Sequence, residues 1–404
     1  MKKNFEIFIG NSYSNEFLVP KNKKVIGKKI PKKIIINSQS KTAIVSNNVT
    51  LNEVNQKANK YNLYLPLSPG NMDITIAGAI SNNVHGKNSY KQGNFLSITS
   101  EIKIIRNKKI IKINNKKDKS LIIGSMGLFG QIIEAKIKLT EKPNFINYKT
   151  YTFNGHTDLK TYFNKIDEYD QFTAWINLTH KSYQGFVLFG KNVYKKKIFK
   201  KKKKSLIKFF YPFIFFSLDK IINIIGVKLF ISDFFFKYLN ILIFNLGKLI
   251  LKKDFLLSTD DAIGANQNFN IQSLKKKTTE LQLLINKKKF YYFMKSYSKI
   301  MKKYKIVNYW TILKKHKKDY AKISFSENGY SISLILHDNL YKNKDFVNDI
   351  YGLIGKFKCK VYLAKLKKCD KQLIDLAYPN IKNVVNPILK YNKNILKHPL
   401  YKLI

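Results

Sequence analysis

Residues 68–88 read SPGNMDITIAGAISNNVHGKN. A small-residue turn around Gly70 leads through Thr75 into Ile76-Ala77-Gly78-Ala79, and Asn82, Asn83 and Val84 then reach a compact His85-Gly86-Lys87-Asn88. Glycine and alanine let a backbone approach a ligand, because nothing beyond Cβ stands in the way. Backbone N–H groups exposed in such turns can hold phosphate oxygens. A histidine and a lysine two residues apart add titratable, donor-rich chemistry. The bland alternative is a surface loop with a satisfied histidine and a solvated lysine.

Working outward, residues 24–45 alternate short apolar runs with turn residues and read as successive strands. Residues 50–61 carry apolar positions at helical spacing, with Thr50 as N-cap and Glu53 three residues on, a capping-box pattern. Residues 95–113 read as two strands around Arg106-Asn107-Lys108, and 133–139 as an alternating strand entered through Gly124, Gly127 and Gly130. These elements predict an α+β domain over residues 1–143. A second α+β unit, 144–355, has a helix over 158–169 and strands over 172–178 and 185–189. In it, residues 320–325 and 330–336 are expected to pair as a hairpin across Glu327-Asn328-Gly329. A last αβ piece, 346–358 then 360–366, leads into the C-terminal segment 356–404 with its helical tail; in it Tyr362-Leu363-Ala364-Lys365 reads as a strand bearing a lysine.

Residues 195–253 differ from the rest. KKKIFKKKKK (195–204) precedes an aromatic, apolar run to Leu251, which Lys208, Asp219, Lys220, Lys228, Asp233, Lys237 and Lys248 interrupt. No uncharged stretch reaches the roughly 18–20 residues that a membrane span needs. Apolar helices with periodic lysines beside a polybasic run suit a segment lying in a membrane interface. The competing reading is a buried helix pair with a solvated lysine loop.

The formal net charge is +50, yet Arg106 is the only arginine. Arginine is preferred for bidentate phosphate and base contacts, so its near absence argues against nucleic acid. Acidic lipid headgroups need only point charges, which lysine supplies. The over-use of Lys, Asn, Ile, Phe and Tyr also fits an AT-rich coding bias. Cys359 and Cys369 read as ordinary thiols rather than a disulfide framework, and no signal peptide is visible. Metal-ligand spacing, HExxH, Walker A and GxSxG patterns are all missing from the sequence, so no metal site is expected.

One ordered set of motifs goes further. Gly78-Ala79-Ile80 followed by Val84-His85-Gly86-Lys87-Asn88 resembles the flavin loop of the vanillyl-alcohol-oxidase-type (PCMH-type) FAD-linked oxidases. Gly10-Asn11-Ser12-Tyr13 is similar to that family's phosphate loop, and Ser125-Met126-Gly127-Leu128-Phe129-Gly130-Gln131-Ile132 to its strand entry. Ala174-Trp175-Ile176-Asn177-Leu178, Leu281-Gln282, Tyr362-Leu363-Ala364-Lys365 and Ala377-Tyr378-Pro379 follow in the family's order. Within the superfamily the set most resembles the decaprenylphosphoryl-β-D-ribose oxidase family.

The resemblance implies a PCMH-type FAD-binding domain, truncated at its N-terminus, with an inserted α+β substrate or cap domain. The family has a βαβ segment of about fifty residues before its phosphate loop. Here the chain begins almost at the loop, with Ile7-Phe8, Asn11 and Ser14-Asn15 where the family has Arg-Gly, Arg and Gly-Asp. Carried over by position, Ser12, Tyr13, Gly70, Thr75, Ile76, Ala77, Gly78, Asn82, Asn83, Val84, His85, Ile132 and Tyr362 would contact FAD. The FAD is expected to be non-covalent, since no histidine occupies the phosphate loop. Lys365, Lys87 and Gln282 would carry the substrate-side chemistry, and Ser333 lies where the family's pocket has a cysteine.

The implied activity is hydride transfer to flavin from a secondary alcohol of a sugar, a polyprenyl-phosphate-linked ribose. The partners implied are that lipid-linked substrate, an anionic membrane surface on the inner, cytoplasmic face of the cell membrane, and a short-chain reductase, with no nucleic acid. A free-sugar or aldonolactone-type oxidase and a degenerate, non-catalytic membrane-bound binding protein are the competing readings.

Overall fold

The computed structural model describes residues 30–179, 183–194, 232–250, 254–264, 277–389 and 400–404. Ser12, Tyr13 and the polybasic run 195–204 lie outside the described residues. The architecture is α+β, with helices and antiparallel sheets. Two compact units divide the chain. Unit 1 comprises Met1–Lys142, His316–Asn328 and Lys358–Ile404; unit 2 comprises Pro143–Lys315 and Gly329–Phe357.

In unit 1 the strands are β1 (Ile34–Asn37), β2 (Thr42–Ser46), β3 (Leu63–Tyr64), β4 (Thr99–Arg106), β5 (Lys109–Ile113), β6 (Gln131–Lys138) and β7 (Thr140–Glu141). Five of them form a sheet in the order β1-β2-β6-β4-β5, and β3 pairs with β7. The β4–β5 hairpin turns through Asn107 and Lys108, both left-handed at φ 51° and 62°. Positive φ at both central residues matches the turn's twist to that of the strands. Helix α1 (Leu51–Asn59) begins with the expected capping box: the Glu53 N–H donates to Thr50 Oγ1, and Glu53 Oε2 accepts from the Thr50 N–H. Leu51, Val54 and Ala58 form its fully buried face. Helix α2 (Ile76–Ser81) packs on β6 and buries Ile76, Ala79 and Ile80.

Unit 2 continues with β8 (Phe145–Asn154), β9 (Gln171–Asn177), β10 (Gln184–Val193), β11 (Phe255–Ser258), β12 (Thr278–Asn286), β13 (Trp310–His316) and β14 (Gly329–His337). They lie side by side in the order β11-β8-β10-β9-β13-β14-β12. Helices Phe290–Lys303 and Lys344–Phe357 pack on each other, with Phe293 and Phe357 meeting edge to face at 5.7 Å.

The structure corrects three expectations. Residues 320–325 form no strand; their backbone is irregular, and β14 pairs instead with β12, from Gly329↔Asn286 to His337↔Thr278. A ladder needs free N–H and C=O rows, and this segment is tied elsewhere, as in the Lys322 N–H bond to the Ser120 carbonyl. Secondly, residues 316–328, read as part of the second unit, belong to the first. Thirdly, Lys365 closes a 3₁₀ turn, Leu363–Lys365, after a strand of only two residues, Lys360–Val361.

Candidate functional site

The turn 68–88 is braced by its own polar groups. The Ser68 N–H donates to Asn88 Oδ1 at 3.1 Å, Asn88 Nδ2 to the Pro66 carbonyl, and the Lys87 N–H to the Ser68 carbonyl at 3.1 Å. Gly86 is required here, since a Cβ would sit 2.6 Å from the Ser68 carbonyl carbon and oxygen. At α2, Thr75 is the N-cap, and the first three helical N–H groups are all engaged. Ile76 donates to the Val49 carbonyl, Ala77 to the Asn47 carbonyl and Gly78 to Thr75 Oγ1. Their amides therefore hold the helix to the chain, and contacts of these residues with a ligand would use other atoms.

After α2 the chain turns through Asn83, buried and left-handed at φ 44°. Its Oδ1 accepts from the Leu96 N–H at 3.0 Å, while its Nδ2 donates to Asp319 Oδ2 at 2.7 Å and to Ser324 Oγ at 2.9 Å. His85 then enters a cluster of buried rings, with centroids 4.7 Å from His316, 5.0 Å from Tyr362 and 5.5 Å from Phe325. Phe325 and Tyr362 are themselves 5.0 Å apart.

Beside this cluster lies a small cleft, open to solvent. Asn82, Gly124 and Met126 line one side, and Ile323, Phe325, Tyr362, Leu363, Ala364 and Tyr378 complete it. The backbone frame is tight: the Gly124 N–H donates to the Ile80 carbonyl and the Met126 N–H to the Ser81 carbonyl. Gly124 has φ 89°, and a Cβ there would fall 2.2 Å from the Ile323 carbonyl oxygen. The Tyr378 hydroxyl donates to the Val361 carbonyl at 2.7 Å, and burial pushes its pKa up, so the phenol is neutral. Next to it Lys360 Nζ donates to the Ser324 carbonyl at 3.3 Å. Burial holds that ammonium below the ordinary lysine range; the opposing charges of Glu327 and Asp319 offset this in part.

Of the residues expected at the site, Asn82 and Tyr362 line the cleft, His85 packs on Tyr362, and Asn83 braces the turn behind. Val84 is buried, with its N–H on the Ala79 carbonyl, and Ile132 is buried in β6 opposite Ile104. Lys87 and Lys365 are half-buried in the same unit. Gly70 is exposed, with nothing within 4 Å of a would-be Cβ. Gln282 and Ser333 face each other in register on β12 and β14 of unit 2. There Gln282 Nε2 donates to Ser331 Oγ at 3.4 Å and Ser333 Oγ to Glu280. Sequence reasoning missed His316, Asp319, Phe325 and Lys360; the one visible signal was an acid at 319 in a run of lysines, HKKD.

Residues 23–109 match the FAD binding domain family. The cofactor is FAD, and domains of this kind are typical of oxidoreductases. The matched stretch includes β1, β2, α1, α2 and the turn through His85. No curated protein matches the chain. The residues present fit the group. The cleft is walled by aromatic and aliphatic side chains, suited to a flat heteroaromatic ring, with the Asn82 amide as a polar contact. Gly127, at φ 88°, has open space where a Cβ would be, so the backbone beside Met126 is accessible. Among the described residues no group of three or more His, Cys, Asp or Glu could hold a metal ion.

Proposed function

We propose that the chain is an FAD-dependent oxidoreductase that oxidises a secondary alcohol of a sugar carried on a polyprenyl phosphate. The observation that carries this reading is the cleft itself. The turn of the FAD-binding stretch and the 362–378 segment converge there, with Asn82 and Tyr362 on its walls. When bound, FAD accepts the hydride of the alcohol carbon. Asn82, Phe325, Tyr362 and Tyr378 would hold the ring system and exclude water. Lys87 and Lys365 would hold the substrate's anionic group and its hydroxyl. The order of motifs along the chain supports the lipid-linked ribose over other sugars, and FAD is taken as non-covalently held.

A peripheral position on the cytoplasmic face of an anionic membrane is part of the proposal. The helix Asp233–Ile250 supports it. Phe236 and Phe244 are buried, while Phe234 (72% exposed), Tyr238, Leu242 and Leu249 (72%) stay in solvent beside Lys237 and Lys248. An apolar row flanked by lysines suits insertion among acidic headgroups. Among the described residues no helix is long and apolar enough to cross a membrane.

The first test is the visible spectrum of the purified chain after addition of FAD, where bound flavin absorbance is expected and a colourless protein would support the non-catalytic reading. With flavin present, flotation on vesicles containing anionic lipid is expected; a chain left in the soluble fraction would favour a free-sugar oxidase. Turnover of Lys365→Ala should fall by about a hundredfold, and a rate equal to the parent's would remove Lys365 from the scheme.

A further inference from the structure

We propose that Asp319 is a positioning residue that builds one wall of the flavin cleft by tying the turn at Asn83 to the segment 316–328. The proposal rests on the FAD reading of the cleft. Asp319 is not among the residues that line the cleft. Its carboxylate instead gathers donors from three parts of unit 1. Oδ2 accepts from Asn83 Nδ2 at 2.7 Å, Asn94 Nδ2 at 3.2 Å and Ser324 Oγ at 3.2 Å. Oδ1 accepts from Ser326 Oγ at 2.7 Å and the Ala321 N–H at 3.1 Å.

The two serines flank Phe325, so both neighbours of that ring hang from one carboxylate. On the other side Asn83 is held at each end of its amide, by Asp319 and by the Leu96 N–H, which fixes a left-handed turn two residues before His85. The result is that His85 and Phe325, from sequence positions 240 residues apart, meet at 5.5 Å. An ionised carboxylate is an acceptor with room for about four donors, whereas an amide has one acceptor oxygen; with that oxygen kept toward Asn83 and Asn94, its –NH₂ would oppose the Ala321 N–H and lose the Ser326 hydroxyl as a donor. Asparagine at 319 is therefore not a substitute, although it has nearly the same shape.

The test compares FAD titrations of the full chain, read by quenching of flavin fluorescence and by visible circular dichroism of the bound flavin. Asp319→Asn is expected to raise the FAD dissociation constant about tenfold and to alter the dichroism. The exchange Asn83→Asp with Asp319→Asn restores a carboxylate–amide bond across the same gap but not the Asn94 bond, so it is expected to recover part of the loss. Binding within about twofold of the parent, with the parent's spectrum, would overturn the proposal, because a factor of two is below the weight of one such bond. Should Asp319→Asn fail to fold, Ser326→Ala removes one arm only; about threefold weaker binding is expected, and parental binding counts against the proposal. A parent chain that takes up no FAD removes the FAD reading itself, and this proposal with it.

Discussion

The two ends of residues 68–88 close on each other, whereas residues 316–328 hang from a carboxylate. In the first loop the Ser68 N–H, the Asn88 amide and the Lys87 N–H find partners within 22 residues. In the second, Asp319 reaches Asn83 and Asn94, which lie 236 and 225 residues away. Both loops contribute rings to the same cluster, His85 from one and His316 and Phe325 from the other. A loop with local partners writes its shape into composition, as the glycine and asparagine positions of 68–88 do. A loop with distant partners has the polar residues but no spacing that announces them.

The comparison is broken most severely where the two loops touch. Gly124→Ala would drive a Cβ to 2.2 Å from the Ile323 carbonyl and demand φ 89° of an L-residue. A cost of about 3 kcal/mol is expected from overpacking and strain together, visible in chemical unfolding. By contrast Gly127→Ala, at φ 88° with nothing within 4 Å, should lose only about 1 kcal/mol. Similar losses for both glycines would mean that the second loop is not pressed against the backbone at Gly124.

Asn83→Ala comes next. It removes the Leu96 acceptor and leaves the Asp319 carboxylate short of its shortest amide donor. About 2–3 kcal/mol is expected, from the loss of a hydrogen bond to a charged group together with the buried acceptor of the Leu96 N–H. Its test is a double-mutant cycle with Ser326→Ala, in which non-additive losses would sharpen the claim that one carboxylate couples both loops.

Lys360 gives a pH signature. Its folded pKa is lowered from 10.5 by burial, so the unfolded chain binds the proton more firmly. The stability it contributes is full above about 10.5 and is lost as pH falls toward the lowered folded value. A series of thermal midpoints should show parent stability rising through that window relative to Lys360→Met, while parallel curves would count against the buried-amine assignment. The smallest effect expected is at the first loop's periphery: Thr50→Ala should cost about 1 kcal/mol through loss of the N-cap bond to Glu53. A loss much larger than that would show α1 to be coupled to the cleft.

The helix α1, the β4–β5 hairpin and the small-residue turn were legible because their determinants are local. A capping residue acts over three positions, two left-handed residues define a hairpin, and Gly86 answers a contact 18 residues away. The expected hairpin over 320–336 failed for the opposite reason. In 320–325 the one serine, Ser324, and its neighbour Ser326 bond a carboxylate rather than a ladder, and β14 finds its partner in β12, more than forty residues upstream. Asn82, His85 and Tyr362 were named from the ordered motifs, while Asp319, His316 and Lys360 were not, since lone polar residues in a lysine-rich chain carry no pattern.

The amino-acid sequence by itself determined where the backbone could turn tightly, which segments could be helix or strand, and that residues 23–109 match the FAD binding domain family. Only the tertiary structure decided that a segment from the middle of the chain joins the first unit and completes the wall around His85. The physical reason is range. Backbone strain and capping act over a few residues, whereas a partly buried carboxylate gathers whichever donors the fold brings within hydrogen-bond reach, however far apart they lie along the chain.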